Sequence, residues 1–367
     1  MKRLFLGLFL ITLVFGLLFT FTGCGPDDAA PAPDPDPDDP APPADDEVFE
    51  WRWQCAYPEA DLEYVALQTL FDEVYDRTDG RLKITAYAEG QIVADPADQL
   101  EAASTGVVDV SHSSGMYVTG QVPVADFEAG LPGQYPGFGY IDDYINMLYE
   151  FEDGALYNLV QEAYMEQADV YYLGSHSFHG YPVIYAKEPL LSPEDYQGKV
   201  IRAAGALQDM FNAFGASATF VAGGEIYTGL QLGTLDAAVW SIEGFLEHSL
   251  FEVAPYVHIP TISGHTCSHV TISPDSWNAL PADIQEILFD SYKNTYIPYL
   301  FSLYDAEWQR VLGSEEEFGY TVVEVPDETM QAIIAVARDE IWADIADTDD
   351  YTREAMQIVD RWYEQNQ

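Results

Sequence analysis

Positive charge is what this chain lacks most. Its 367 residues include 14 Lys and Arg against 62 Asp and Glu, a formal net charge of −48. So negative a surface repels nucleic acid and anionic membrane, which excludes both as partners held by charge. Acidity spread this evenly reads as solubility in high salt, a property of the surroundings and not of a site. Cysteine is nearly absent, with three residues. Cys55 and Cys267 have no CxxC or CxxxH companion, so the chain carries no cysteine-based zinc motif. Their spacing leaves one disulfide or two buried thiols open. Catalytic templates are missing as well: there is no G-x-S-x-G elbow, no H-E-x-x-H, no P-loop and no G-x-G-x-x-G after a strand.

One long apolar run is present. Lys2 and Arg3 precede residues 4–21, which are apolar apart from Thr and Gly. A basic start, an apolar stretch and small residues before a cut mark a secretory signal, and the run is also just long enough to cross a bilayer. Phe21-Thr22-Gly23-Cys24 resembles a bacterial lipobox, in which cleavage before Cys24 leaves a thiol that carries lipid. The alternative is an uncleaved anchor helix. Both place the remainder outside the cytoplasm, at the cell surface or in the periplasm. Cleavage removes two basic residues and no acid, leaving 12 against 62 and a net charge of −50.

The next segment, 24–47, is Pro, Asp and Ala with little else, and it cannot bury apolar surface. It reads as an extended tether. The folded body begins near Val48 and is large enough for two lobes. Alternating strands at 49–57, 82–87, 107–110, 170–173, 183–186, 200–203, 218–221, 237–240 and 321–325 are interleaved with helical spacing at 61–79, 96–103, 141–167, 206–214 and 226–232. That order predicts an α/β class built on βαβ units. A helical pattern from 281 to about 311 is unusually long, and the chain after 327 is helical. The expected architecture is two α/β lobes with a cleft between them and one long bridging helix. Residues 48–173, completed by about 262–312, would form lobe I; residues 174–261, completed by about 313–326, would form lobe II. Residues 327–367 would be a C-terminal helical segment.

Among the scarce basic residues Arg202 stands apart. It lies in Lys199-Val200-Ile201-Arg202-Ala203-Ala204, a strand with apolar neighbours. A guanidinium stays charged, so a buried one needs an anion in good geometry, and its planar fork fits a carboxylate through two hydrogen bonds. The anion is either an internal acid or a ligand.

Two stretches then resemble a known family. Ser192-Pro193-Glu194-Asp195-Tyr196-Gln197-Gly198-Lys199-Val200-Ile201-Arg202 is similar to the S-x-x-D-x-x-G-x-K-x-R stretch of the solute-binding subunits of TRAP transporters, the DctP-type receptors. Residues 223–238, GGEIYTGLQLGTLDAA, resemble their E-x-Y-x-A-L-Q-x-G-x-x-D-x-A signature. The GGEIYTGLQ…DAA form and His112-Ser113-Ser114 resemble the branch that takes 2-oxo acids and lactate. The resemblance implies a periplasmic-binding-protein-like fold that closes over a small organic acid and delivers it to two TRAP membrane subunits. It implies that Arg202 pairs with the ligand carboxylate. It also implies that Trp240, the segment of Ser113, Ser114 and Tyr117, and the segment of His179 and Tyr181 line the cleft. For each aromatic, ordinary core packing is the alternative; for His112 and His179 it is a satisfied structural histidine. Glu225, Tyr227 and Gln231 sit at helical spacing and read as fixing lobe packing.

The oxo-acid branch often holds a cation beside the ligand, through a Gln and a Glu that are here Gly180 and Val239. No cofactor is therefore expected, with Glu243 and His265 as the substitutes should a cation be held. Two other functions stay open from residues alone: a surface hydrolase using Glu243 with His265 or His269, and a sensory receptor on the same module. The C-terminal helix could exchange between the protomers of a homodimer or pack on its own chain.

Overall fold

The computed structural model describes residues 47–127, 141–178, 182–261 and 266–366, all of which belong to one compact unit. Cys24, His179, Tyr181 and His265 lie outside the described residues, as do the signal and nearly all of the tether. Among the described residues no helix is long and apolar enough to cross a membrane.

Two mixed sheets organise the chain. The first has the order β2-β1-β3-β10-β4, with β1 at Phe49–Cys55, β2 at Leu82–Tyr87, β3 at Val110–Ser114, β4 at Tyr171–Phe178 and β10 at Thr266–Ile272. The second has the order β11-β9-β5-β8-β6-β7. Its strands are β5 at Val183–Ala186, β6 at Val200–Arg202, β7 at Ser217–Thr219, β8 at Ala237–Trp240, β9 at Tyr256–Ile259 and β11 at Thr321–Glu324. Between Phe178 and Val183 the chain leaves the first sheet for the second, and it returns between Ile259 and Thr266.

Register sets which residues meet at those crossings. In the first sheet Cys55 pairs with His112, Ser114 with Ser268, and His176 with Ser268. In the second, Val183 pairs with Trp240, while Arg202 pairs with Ala238 and Thr219. The carboxyl ends of β1, β3 and β4 and those of β6, β7 and β8 thus carry the residues next to the crossovers, where ligands of open α/β sheets bind.

Helix Leu62–Arg77 buries Ala66, Leu67, Leu70, Phe71 and Val74, a one-face spacing that packs it on the first sheet. Asp61 caps it, its side chain accepting from the Glu63 amide at 2.9 Å. The long helix is present as Ala282–Ser291, a π-helical turn Tyr292–Tyr296, and Ile297–Gly313. It packs on Leu62–Arg77 beside the first sheet and on Ile242–Glu247 beside the second, burying Leu288, Tyr292, Tyr296, Leu300 and Tyr304.

Several expectations are corrected. The helix expected over 141–167 breaks at Glu152, Asp153 and Gly154, whose φ angles of 49°, 59° and 75° cannot continue a right-handed helix. The strand expected at 170–173 runs to Phe178, and the short strand expected at 218–221 is Ser217–Thr219. Strands β9 and β10 escape the pattern because polar residues such as His258, Ser268, His269 and Thr271 face inward. The C-terminal helix Asp350–Asn366 packs against its own chain: Met356, Val359 and Trp362 join the buried cluster around helix Ala155–Ala168, and Trp362 donates to Asn146 Oδ1 at 2.9 Å.

Candidate functional site: an arginine seat and a buried triad at the sheet ends

Arg202 is 4 % exposed at the carboxyl end of β6. Its Nε donates to the Val221 carbonyl at 3.1 Å and Nη1 to the Val239 carbonyl at 2.9 Å. The guanidinium carbon lies 4.7 Å from the Trp240 ring centroid and 5.3 Å from that of Phe220, a cation–π arrangement on both. Among the described residues no carboxylate pairs with it. The group is oriented by neutral acceptors and aromatic faces, with donors left over.

Trp240 is positioned by glycines. A Cβ on Gly223 would fall 2.6 Å from the indole Cη2, and one on Gly244 2.4 Å from its Cδ1. Only hydrogen at these two positions leaves room for the ring beside Arg202.

Ser113 and Ser114 end β3, 1 % and 5 % exposed, and neither hydroxyl has a hydrogen-bond partner among the described residues. Tyr117 follows on the surface, 41 % exposed. Glu243, in helix Ile242–Glu247, is buried with Oε2 unpartnered among the described residues. Burial and the nearby Asp61 charge push its carboxyl well above the usual range. Asp61 is itself pushed up to about 7 by burial and the Glu63 carboxylate.

Beneath Ser113 lies a network that sequence reasoning caught only through His112. Glu63 Oε2 lies 2.8 Å from His112 Nε2 and 2.9 Å from His176 Nε2, and Ser268 Oγ donates to Glu63 Oε1 at 2.9 Å. Tyr57 OH is 2.5 Å from Ser268 Oγ. Burial works to raise the Glu63 carboxyl, but the charge of His176 and hydrogen bonds from both histidines hold it down at about 2. Burial holds His112 down at about 4 against that carboxylate. Cys55 is a free, buried thiol 3.7 Å from His112 Nδ1. Glu63 escaped notice because an acid in the first turn of a helix is ordinary. His176 escaped because its strand was read too short.

His269 sits in the first-sheet core, its Nδ1 2.8 Å from Tyr164 OH. Glu225 and Gln231 are exposed and so fix no lobe packing, while Tyr227 donates to Glu252 at 2.8 Å. A pocket of about 300 Å³ lined by Lys187, Glu188, Lys199 and Asp236 lies at the other end of the second sheet, beside Ala186 and Ala237 and not beside Val183 and Trp240.

Two mixed sheets joined by two crossovers and one long helix, with a buried guanidinium that has no carboxylate partner among the described residues, form the two-lobed α/β architecture of a solute-binding protein. The profile described as bacterial extracellular solute-binding protein, family 7 (DctP), matches residues 55–349, and the chain belongs to that family. A monocarboxylate 2-oxoacid-binding periplasmic protein of Nostoc sp. is 26 % identical over 294 residues, covering 79 % of this chain and 77 % of that one. The ectoine-binding periplasmic protein TeaA of Halomonas elongata is 25 % identical over 292 residues, 77 % and 80 % of the two chains. A TRAP transporter solute-binding protein from Bordetella bronchiseptica, solved with copurified calcium and picolinate, superposes with a TM-score of 0.75 over 87 % of this chain and 93 % of that one, at 21 % identity. The chain is therefore an extracytoplasmic solute receptor of the DctP type.

Proposed function

We propose that the solute is a small organic acid, a monocarboxylate or 2-oxo acid, whose carboxylate takes the free donors of Arg202. The observation that carries this reading is a guanidinium 4 % exposed, with no carboxylate partner among the described residues. A buried charge left so is costly unless an anion arrives. In a chain of net charge −48 the seat also supplies local attraction where the overall field repels. Trp240 would form one wall, Ser113, Ser114 and Tyr117 the opposite one, with His179, Tyr181 and His265 contributed from the crossovers. The names of the Nostoc relative and of the Bordetella structure, with its bound picolinate, support an acid. No cofactor is assigned at this seat. A cation beside the solute would draw on Glu243, the acid with an unpartnered oxygen. Lipid on Cys24 and the acidic tether would hold the receptor near its membrane subunits.

Solute bridging both lobes would shift a hinge equilibrium toward closure. Calorimetry with pyruvate, longer 2-oxo acids, lactate, C4 dicarboxylates and ectoine tests the assignment. Arg202→Ala is expected to weaken the preferred acid by about a hundredfold or more, and Arg202→Lys, which keeps charge but loses the fork, by less. Absence of binding by every carboxylate, or an Arg202→Ala protein that binds as tightly as wild type, would overturn it.

A further inference from the structure

Glu63 Oε2, His112 Nε2 and His176 Nε2 come from helix Leu62–Arg77, from β3 and from β4, and they converge on one point. Their separations are 2.8, 2.9 and 3.3 Å, the last between the two imidazole nitrogens, and all three side chains are 0–1 % exposed. We propose that this triad is a binding site for a divalent first-row transition ion, with zinc as the reference case.

The dimensions favour an ion over protons alone. Donors on a single ion at about 2.0–2.1 Å stand about 2.9 Å apart at right angles and about 3.4 Å apart at tetrahedral angles. The observed triangle falls almost within that span, its shortest side a tenth of an ångström below it. A carboxylate accepting from two imidazole N–H groups has no reason to crowd those donors to 3.3 Å, since the N–H hydrogens are forced together. Two imidazoles and one carboxylate on one face is a donor set suited to zinc, iron or cobalt, and unsuited to calcium or magnesium.

The surroundings match what such ligands need. A ligating histidine holds its second nitrogen on a partner that fixes the ring. His176 Nδ1 has Tyr292 OH at 2.8 Å, and His112 Nδ1 has the Cys55 thiol at 3.7 Å. The carboxylate's other oxygen is held by Ser268. The π-helical turn Tyr292–Tyr296 sets both tyrosines inward, with Tyr296 OH donating to the Glu63 carbonyl at 3.2 Å. Such turns recur at functional sites. This site is separate from the Arg202 seat, although His112 precedes Ser113 on the same strand. An ion there would stiffen the lobe I wall of the cleft.

The full chain, stripped with chelator, would be titrated with Co²⁺ and Zn²⁺, both folded and during refolding from urea. Expected are visible d–d bands saturating at one Co²⁺ per chain, bleaching by Zn²⁺, and a rise in Tm with either ion. His112→Gln and His176→Gln should each lower apparent affinity by about a hundredfold. Tyr292→Phe, which leaves all three donors in place, should lower it by about tenfold, and it keeps the test alive if a ligand variant does not fold. No Co²⁺ bands and no Zn²⁺ shift of Tm up to millimolar ion would overturn the proposal and leave a hydrogen-bonded network. Uptake unchanged in His176→Gln and Tyr292→Phe would overturn it too, by placing the ion elsewhere. Neither outcome bears on Arg202, whose readout is the organic acid.

Discussion

Arg202 and Glu63 are both charged and both buried, one at the end of a second-sheet strand and one on a helix packed on the first sheet, yet their surroundings are opposite. Glu63 is closed even without an ion: its two oxygens have Ser268, His112 and His176 within hydrogen-bond distance. Arg202 is open: two backbone carbonyls and two aromatic faces orient it, and no carboxylate among the described residues answers its charge. A charge satisfied from within supports the fold, whereas one left waiting supports a ligand. The two should therefore respond in opposite ways when neutralised.

The largest expected effect is on the closed side. Glu63→Ala, measured by urea denaturation of the chelator-stripped protein, should cost about 3–5 kcal/mol, the range for breaking a buried charged network from one side. Arg202→Met, by contrast, should leave stability within about 1 kcal/mol of wild type while abolishing acid binding, because removing an unpaired buried charge offsets two orphaned carbonyls. Equal losses from the two variants would erase the distinction.

A buried neutral base sharpens the comparison from a third direction. His258, 1 % exposed in β9, accepts from the Leu190 amide through Nε2 at 2.9 Å and donates from Nδ1 to the Ile184 carbonyl at 3.1 Å. Burial holds it down, from 6.5 to about 4. Between these values the unfolded chain takes a proton that the folded one refuses, so its stabilising effect is intact above about pH 6.5 and is lost as pH falls toward 4. The integrated loss is about 3 kcal/mol. Comparing the pH dependence of unfolding for wild type and His258→Asn isolates it; parallel curves would show that His258 does not titrate differently on folding.

Much of this frame is written in local patterns. Strands β2, β5 and β8 and helix Ile226–Leu232 fall where the pattern and glycine stops place them, β5 and β8 as short apolar runs covered on both faces. Arg202 was legible because a lone base in an apolar strand of an acidic chain has few explanations. What stayed hidden depends on distance in sequence. Glu63, His112 and His176 are separated by 49 and 64 residues and meet only through sheet register. Strand β10 hides because Ser268, His269 and Thr271 look like surface and are core. The aromatic wall at Trp240 rests on Gly223 and Gly244, and a glycine needed for another side chain's room leaves no periodic trace.

That last dependence gives the smallest effect and the most local one. Gly244 lies in helix Ile242–Glu247, where alanine would ordinarily add about 1 kcal/mol. Here its Cβ would meet Trp240 Cδ1 at 2.4 Å and Nε1 at 2.5 Å, and overpacking of this kind costs about 1–3 kcal/mol. The clash should therefore cancel or outweigh the propensity gain and tilt the indole off Arg202. Gly244→Ala should weaken acid binding by about tenfold, shift Trp fluorescence, and change stability by no more than about 2 kcal/mol. Gly224→Ala, whose Cβ meets nothing within 4 Å, is the matched control and should alter neither. If Gly244→Ala binds like wild type, the indole face is packing for lobe II and not part of the open seat, and the contrast with Glu63 rests on the guanidinium alone.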